Sequence, residues 1–80
     1  MRPKAIEVRP LPDYNLFLRF DNGEKKILDI KPWIKGDWFG QLKDINLFQT
    51  VHLAGLSVEW AGGQDLCPDD LYYLSTSVES

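Results

Sequence analysis

From Tyr14 to Phe20 the residues alternate so strictly that they admit one local structure, with Tyr14, Leu16, Leu18 and Phe20 on one side and Asn15, Phe17 and Arg19 on the other. Such a strand buries one face and wets the other. Asp21-Asn22-Gly23 follows, and Asn and Gly tolerate the positive φ that a tight hairpin turn demands. A second strand, Glu24 to Ile30, is expected to pair back antiparallel. Leu28 and Ile30 then share its buried face, Ile27 and Asp29 point away, and Lys25 and Lys26 keep its start in water. Pro32 ends the strand.

The flanking segments extend this hairpin. Ile6 and Val8 alternate with Glu7 and Arg9 from Lys4 to Arg9, and Pro10 and Pro12 are read as the stop. Trp33 to Gln49 carries helical spacing interrupted by Gly36 and Gly40, which predicts short helical turns. Asp37 and Asp44 are placed to cap them, with Ile45 and Phe48 facing inward. Thr50–Leu53 and Leu56–Trp60 form a second hairpin around Ala54-Gly55. After the turn at Gly62-Gly63, Leu66-Cys67-Pro68-Asp69-Asp70-Leu71 reads as a helix start. Pro68 suits the first helical position, Asp69 and Asp70 face the positive end of the dipole, and Leu66 is spaced to staple onto Leu71. Leu71, Leu74 and Val78 are expected to form the stripe that docks this helix, before a fraying Ser-rich end. The expected fold is therefore α+β: a small, mostly antiparallel sheet of two hairpins plus an N-terminal strand, a short helical crossover, and a C-terminal helix packed on the sheet. Eighty residues sustain one core, so residues 1–80 are read as a single domain.

Charge and cysteine content exclude several functions. A formal charge of −3 supplies no basic footprint for phosphates, so direct nucleic-acid binding is not expected. One cysteine, Cys67, makes neither an intramolecular disulfide nor a zinc site, which suits a reducing compartment. The N-terminal residues lead straight into a strand pattern without a long apolar run, so neither a leader nor a membrane span is expected and the protein is read as cytoplasmic.

No catalytic, cofactor-binding or metal-ligating residue is assigned. Asp65, Asp69 and Asp70 lack the spacing of a calcium loop. Asp65 is read as tying down its loop, and Asp69 and Asp70 as capping the helix. Cys67 sits at a helix start that favours a thiolate, yet three aspartates oppose this, and His52, the one available base, lies in no relay motif. Gly62-Gly63 lacks the Lys and Ser/Thr of a phosphate loop.

Several residue blocks carry a resemblance. These are Leu16, Leu18 and Phe20 before Asp21-Asn22-Gly23-Glu24, Asp29 before Pro32, and Trp60 followed by Asp65-Leu66-Cys67-Pro68-Asp69 and Leu71-Tyr72. With them the chain resembles the bacterial domain of unknown function 2442 family over nearly its whole length. The resemblance implies a small α+β domain. Some relatives are joined to a DNA-binding helix-turn-helix, and some are encoded beside another small protein in pairs that look like toxin and antitoxin. Cys67 stands where the pattern leads us to expect Ser, a better cap because sulfur is a weak acceptor; Asp70 is expected to compensate by reaching back. The chain ends soon after the last helix, so the DNA-linked role of fused relatives is not carried over.

Aromatic residues provide the functional lead. Phe17 lies between Asn15 and Arg19 on a polar face, and Ile27 interrupts the neighbouring strand in the same way. If the faces match, the two form one apolar patch, a homodimer or partner surface to which Trp33, Trp38 and Phe39 are candidates; the alternative is that the central helical segment buries both. The leading reading is a non-enzymatic interaction module, the antitoxin-like or regulatory member of a bacterial two-protein pair, whose acidity suits a basic partner. The alternative is a small-ligand-binding domain with an aromatic-lined pocket around Trp60, Tyr72 and Tyr73, next to the motif Asp65, Cys67, Pro68 and Asp69.

Overall fold

A computed structural model describes residues 2–78. Strands β1 (Ala5–Leu11), β2 (Asn15–Phe20) and β3 (Lys25–Asp29) form an antiparallel meander, closed on its far side by the two-residue β6 (Thr76–Ser77) in the order β1-β2-β3-β6. Strands β4 (His52–Ala54) and β5 (Ser57–Glu59) form a separate hairpin. Between the two sheets run 3₁₀ turns at Lys31–Trp33 and Phe39–Lys43 and the single-turn helix α1 (Ile45–Phe48). Helix α2 (Pro68–Tyr73) precedes β6. The architecture is thus α+β, but the two hairpins belong to different sheets.

Alternation places Leu16, Leu18, Phe20 and Leu28 on the inner face, all essentially inaccessible. Leu42 and Phe48 from the helical segment, Val51, Val58 and Trp60 from the second hairpin, and Leu66 and Leu71 around the start of α2 complete one core. The helical segment therefore covers the inner face of the large sheet, and not the face that carries Phe17 and Ile27.

The first hairpin turns through Asp21–Gly23, with Gly23 at φ +91° and its N–H donating to the Phe20 carbonyl at 2.9 Å. Asn22 does not take the left-handed conformation; its Oδ1 accepts from the Glu24 N–H at 3.0 Å. In the second hairpin Gly55, at φ +57°, leads a two-residue loop, where a side chain would be strained.

Local patterning misplaces several residues. β1 continues through Pro10 to Leu11, because an edge strand does not need the missing N–H. A bulge between Ala5 and Glu7 turns Ile6 outward and brings Ala5 and Val8 to the core side. Lys26 is 8% exposed, not solvated: its ammonium donates to the Tyr72 carbonyl at 2.8 Å, at the C-terminal end of α2, and lies 3.9 Å from the centre of the Tyr72 ring. Ile45 is exposed, since one helical turn cannot bury both it and Phe48. Asp44 caps α1 by accepting from the Asn46 N–H at 2.9 Å, whereas Trp38, not Asp37, occupies the cap position of the preceding turn.

The expected stripe of Leu71, Leu74 and Val78 does not form. α2 ends at Tyr73, only Leu71 docks, and Leu74 and Val78 are exposed. Ser75 donates its hydroxyl to the Tyr72 carbonyl at 2.8 Å, and Thr76 and Ser77 pair with Ile27 and Lys26. The Ser-rich segment thus supplies an edge strand as far as Ser77; the expectation of fraying beyond Val78 lies outside the described residues.

Candidate functional site

The outer face of the large sheet is a regular array set by strand register. Across the sheet, Arg9, Phe17, Ile27 and Thr76 are consecutive cross-strand partners. The adjacent row is Glu7, Arg19 and Lys25, and the row on the other side is Leu11, Asn15 and Asp29. Phe17 and Ile27 are half-buried, directly opposite one another, and stand outside the core cluster. An open depression of about 430 Å³ over this face is lined by Glu7, Arg9, Leu11, Phe17, Arg19 and Lys25, all from β1, β2 and β3. The register thus joins the two residues that break the polar pattern into one apolar pair.

Glu7 organises the basic side of the array. Its two carboxylate oxygens accept from Nε of Arg9 at 2.6 Å and Nε of Arg19 at 2.9 Å. The Arg19 bond, followed by that of Arg9, holds the Glu7 carboxyl below its ordinary range. Because only Nε of each guanidinium is engaged by Glu7, the terminal N–H groups keep their forked geometry for another acceptor. Arg9, Glu7 and Lys25 are legible only as strand residues on the wet side; pairing across both hairpins makes them neighbours of Phe17.

The other aromatic candidates lie elsewhere. Trp33 and Phe39 pack against the core from the inner layer. Trp38 is 50% exposed, but its indole N–H donates to the Gly62 carbonyl at 3.2 Å and its own carbonyl accepts from Gln64 Nε2 at 2.9 Å, so it latches the helical segment to the Gly62-Gly63 turn. None of the three extends the Phe17–Ile27 pair.

Of the residues proposed around a pocket, Tyr72 and Tyr73 meet edge-on at 5.1 Å, while Trp60 lies in the core. Trp60 is 1% exposed and donates its indole N–H to the Phe48 carbonyl at 3.0 Å, whereas Tyr73 is 65% exposed. Tyr72 packs edge-on against Phe20, and its hydroxyl donates to Glu24, which raises the phenol's pKa and lowers that of the carboxyl.

The motif around α2 is built from backbone and packing. Asp65 forms a bridge with Glu59, Leu66 and Leu71 enter the core from either side of the cap, and Pro68 takes the first helical position. Cys67 is the exposed cap residue and its side chain makes no capping hydrogen bond; no bond from Asp70 back to it occurs among the described residues. Asp69 pairs with Arg2 at 3.0 Å. His52 directs Nδ1 to the Thr50 carbonyl at 3.0 Å and Nε2 to Glu59 at 3.5 Å, and neither nitrogen to Cys67. Among the described residues, no cluster of three His, Cys, Asp or Glu side chains is suited to a metal and no helix is long and apolar enough to cross a membrane.

Fold and surface define a class: a small α+β domain of two antiparallel sheets enclosing one core, with the outer face of the larger sheet left uncovered. Within that class, this chain belongs to the family described as protein of unknown function (DUF2442), whose family model matches residues 5–77. The match spans every strand and helix. No curated protein and no solved structure gives a significant match.

Proposed function

We propose that this domain is a non-enzymatic, cytoplasmic interaction module that binds another protein through the outer face of its large sheet, as the antitoxin-like or regulatory member of a bacterial two-protein pair. The observation that carries this reading is the uncovered Phe17–Ile27 pair. Two large apolar side chains sit opposite each other at the centre of a face over which the core-forming helical segment does not pass. Burying such a pair under a partner removes apolar area from water at about 25 cal/mol per Å², and aromatic residues at the centre of a contact carry a large share of interface energy. The paired gene order implied by the family resemblance supports a dedicated partner.

Affinity-tagged chain expressed in its native host is expected to retain one stoichiometric partner, and Phe17→Asp is expected to release it while preserving the circular dichroism spectrum. Recovery of the wild-type protein alone, or a partner that Phe17→Asp retains, would refute the assignment.

A further inference from the structure

We infer that the outer sheet face takes an acidic protein segment, with an apolar side chain over Phe17 and Ile27 and carboxylates on Arg9, Arg19 and Lys25. This deepens, and rests on, the interaction reading above. The chain as a whole carries a formal charge of −3, yet the depression on this face is lined by three cations and one carboxylate, and the face's other carboxylate, Asp29, is paired with Lys31 at 3.0 Å. The carboxylate of the depression, Glu7, is already engaged through both oxygens, and it fixes the two guanidiniums beside the apolar pair. Pre-positioned guanidiniums whose terminal N–H groups Glu7 leaves unengaged match the two oxygens of a carboxylate. The sign of the depression is therefore opposite to the sign of the molecule, and overall acidity is not what a partner seated there meets.

The same observations weigh against the other occupants. A second copy docked symmetrically would set this cationic patch against itself. A single-stranded nucleic acid needs a series of stacking aromatics along a basic channel, whereas this face offers Phe17 alone. Strand addition is disfavoured as well: the β1 edge carries a bulge and Pro10, and the opposite edge is the two-residue β6. The segment lies on the face.

The test is a nuclear magnetic resonance titration of the isotope-labelled full chain. The probes are capped synthetic peptides with a central leucine flanked by glutamates, the same peptide with glutamines, and a short oligothymidylate. The glutamate peptide is expected to shift the amides of Arg9, Phe17, Arg19 and Ile27, and the glutamine peptide to bind roughly tenfold more weakly. Arg19→Gln and Lys25→Gln should each weaken the glutamate peptide several-fold while the remaining spectrum stays that of the folded chain. Equal binding of both peptides on this face overturns the acidic chemistry and leaves the interaction reading standing. Tighter binding of the oligonucleotide, or concentration-dependent shifts of the same amides without peptide, overturns it in favour of nucleic acid or a second copy. Absence of any shift on this face also overturns it, and capture by wild type against Phe17→Asp then decides the interaction reading independently.

Discussion

Trp60 joins two functions of a core residue in one side chain: its rings fill the space beside Phe48, at a centroid distance of 6.0 Å, and its N–H satisfies the Phe48 carbonyl at the end of α1. Trp60→Phe keeps a ring but removes both the donor and part of the volume. The Phe48 carbonyl then keeps only the longer bond from the Val51 N–H at 3.4 Å; loss of one buried hydrogen bond costs about 0.5–1.5 kcal/mol, and loss of core volume adds to it. The variant is expected to lose about 2 kcal/mol in urea unfolding, a large share of the roughly 4–12 kcal/mol that a domain of this size commands. An unchanged midpoint would show that the Val51 N–H alone suffices for the carbonyl and that the core closes over the lost volume. Lys26 illustrates the same accounting for a charge: its ammonium is tolerated inside because the Tyr72 carbonyl and ring receive it.

At the scale of elements, α2 is six residues long and cannot stand by intrinsic propensity. It persists because Leu66 and Leu71 anchor its first turn and Lys26 receives its last. Its weak point is the cap. Cys67 has the extended backbone of a cap residue, φ −62° and ψ 131°, without a side-chain acceptor in use. Cys67→Ser is therefore expected to stabilise the protein by about 1 kcal/mol, seen as a rise in Tm of about 4–8 °C; an unchanged Tm would show that the first-turn N–H groups are already satisfied by solvent.

For the whole molecule, ionisation sets a pH window. Glu7 is held below its ordinary pKa of 4.5 by Arg19 and then Arg9, Glu24 below 4.5 by the Tyr72 hydroxyl and then Asn22, and Asp29 below 3.8 by the Lys31 N–H. Folded values below unfolded ones mean that this stability is present above the ordinary carboxylate range and is lost as pH falls through the folded values. Lys31 is raised above 10.5 by Asp13 and then Asp29, and Tyr72 above 10.0 by Glu24, so their contributions are present below those values and are lost as pH rises through the folded ones. The urea midpoint is expected to be flat between these ranges and to fall on both sides. Glu24→Gln should make both limbs shallower, because one bond serves both; a variant profile parallel to wild type would contradict that coupling.

Alternation and turn chemistry alone determined the central hairpin, its buried face, the second hairpin and the start of α2, because each depends on residues adjacent in the chain. They also singled out Phe17 and Ile27 as misplaced apolar residues. Tertiary structure decided what lies beside them. Arg9 and Glu7 join Phe17 and Arg19 through the β1–β2 register, and that register passes through a turn in which Asp13 and Tyr14, at φ 62° and 59°, adopt a conformation that neither residue advertises. Lys31 holds that turn through the Asp13 carbonyl at 2.7 Å, a contact 18 residues distant. Likewise, α2 yields to β6 because the free edge of β3 offers Thr76 and Ser77 hydrogen bonds that a further helical turn would not match. Which face the helical segment covers follows from where Leu42 and Phe48 find a complementary core, and that choice leaves the opposite face of the sheet open.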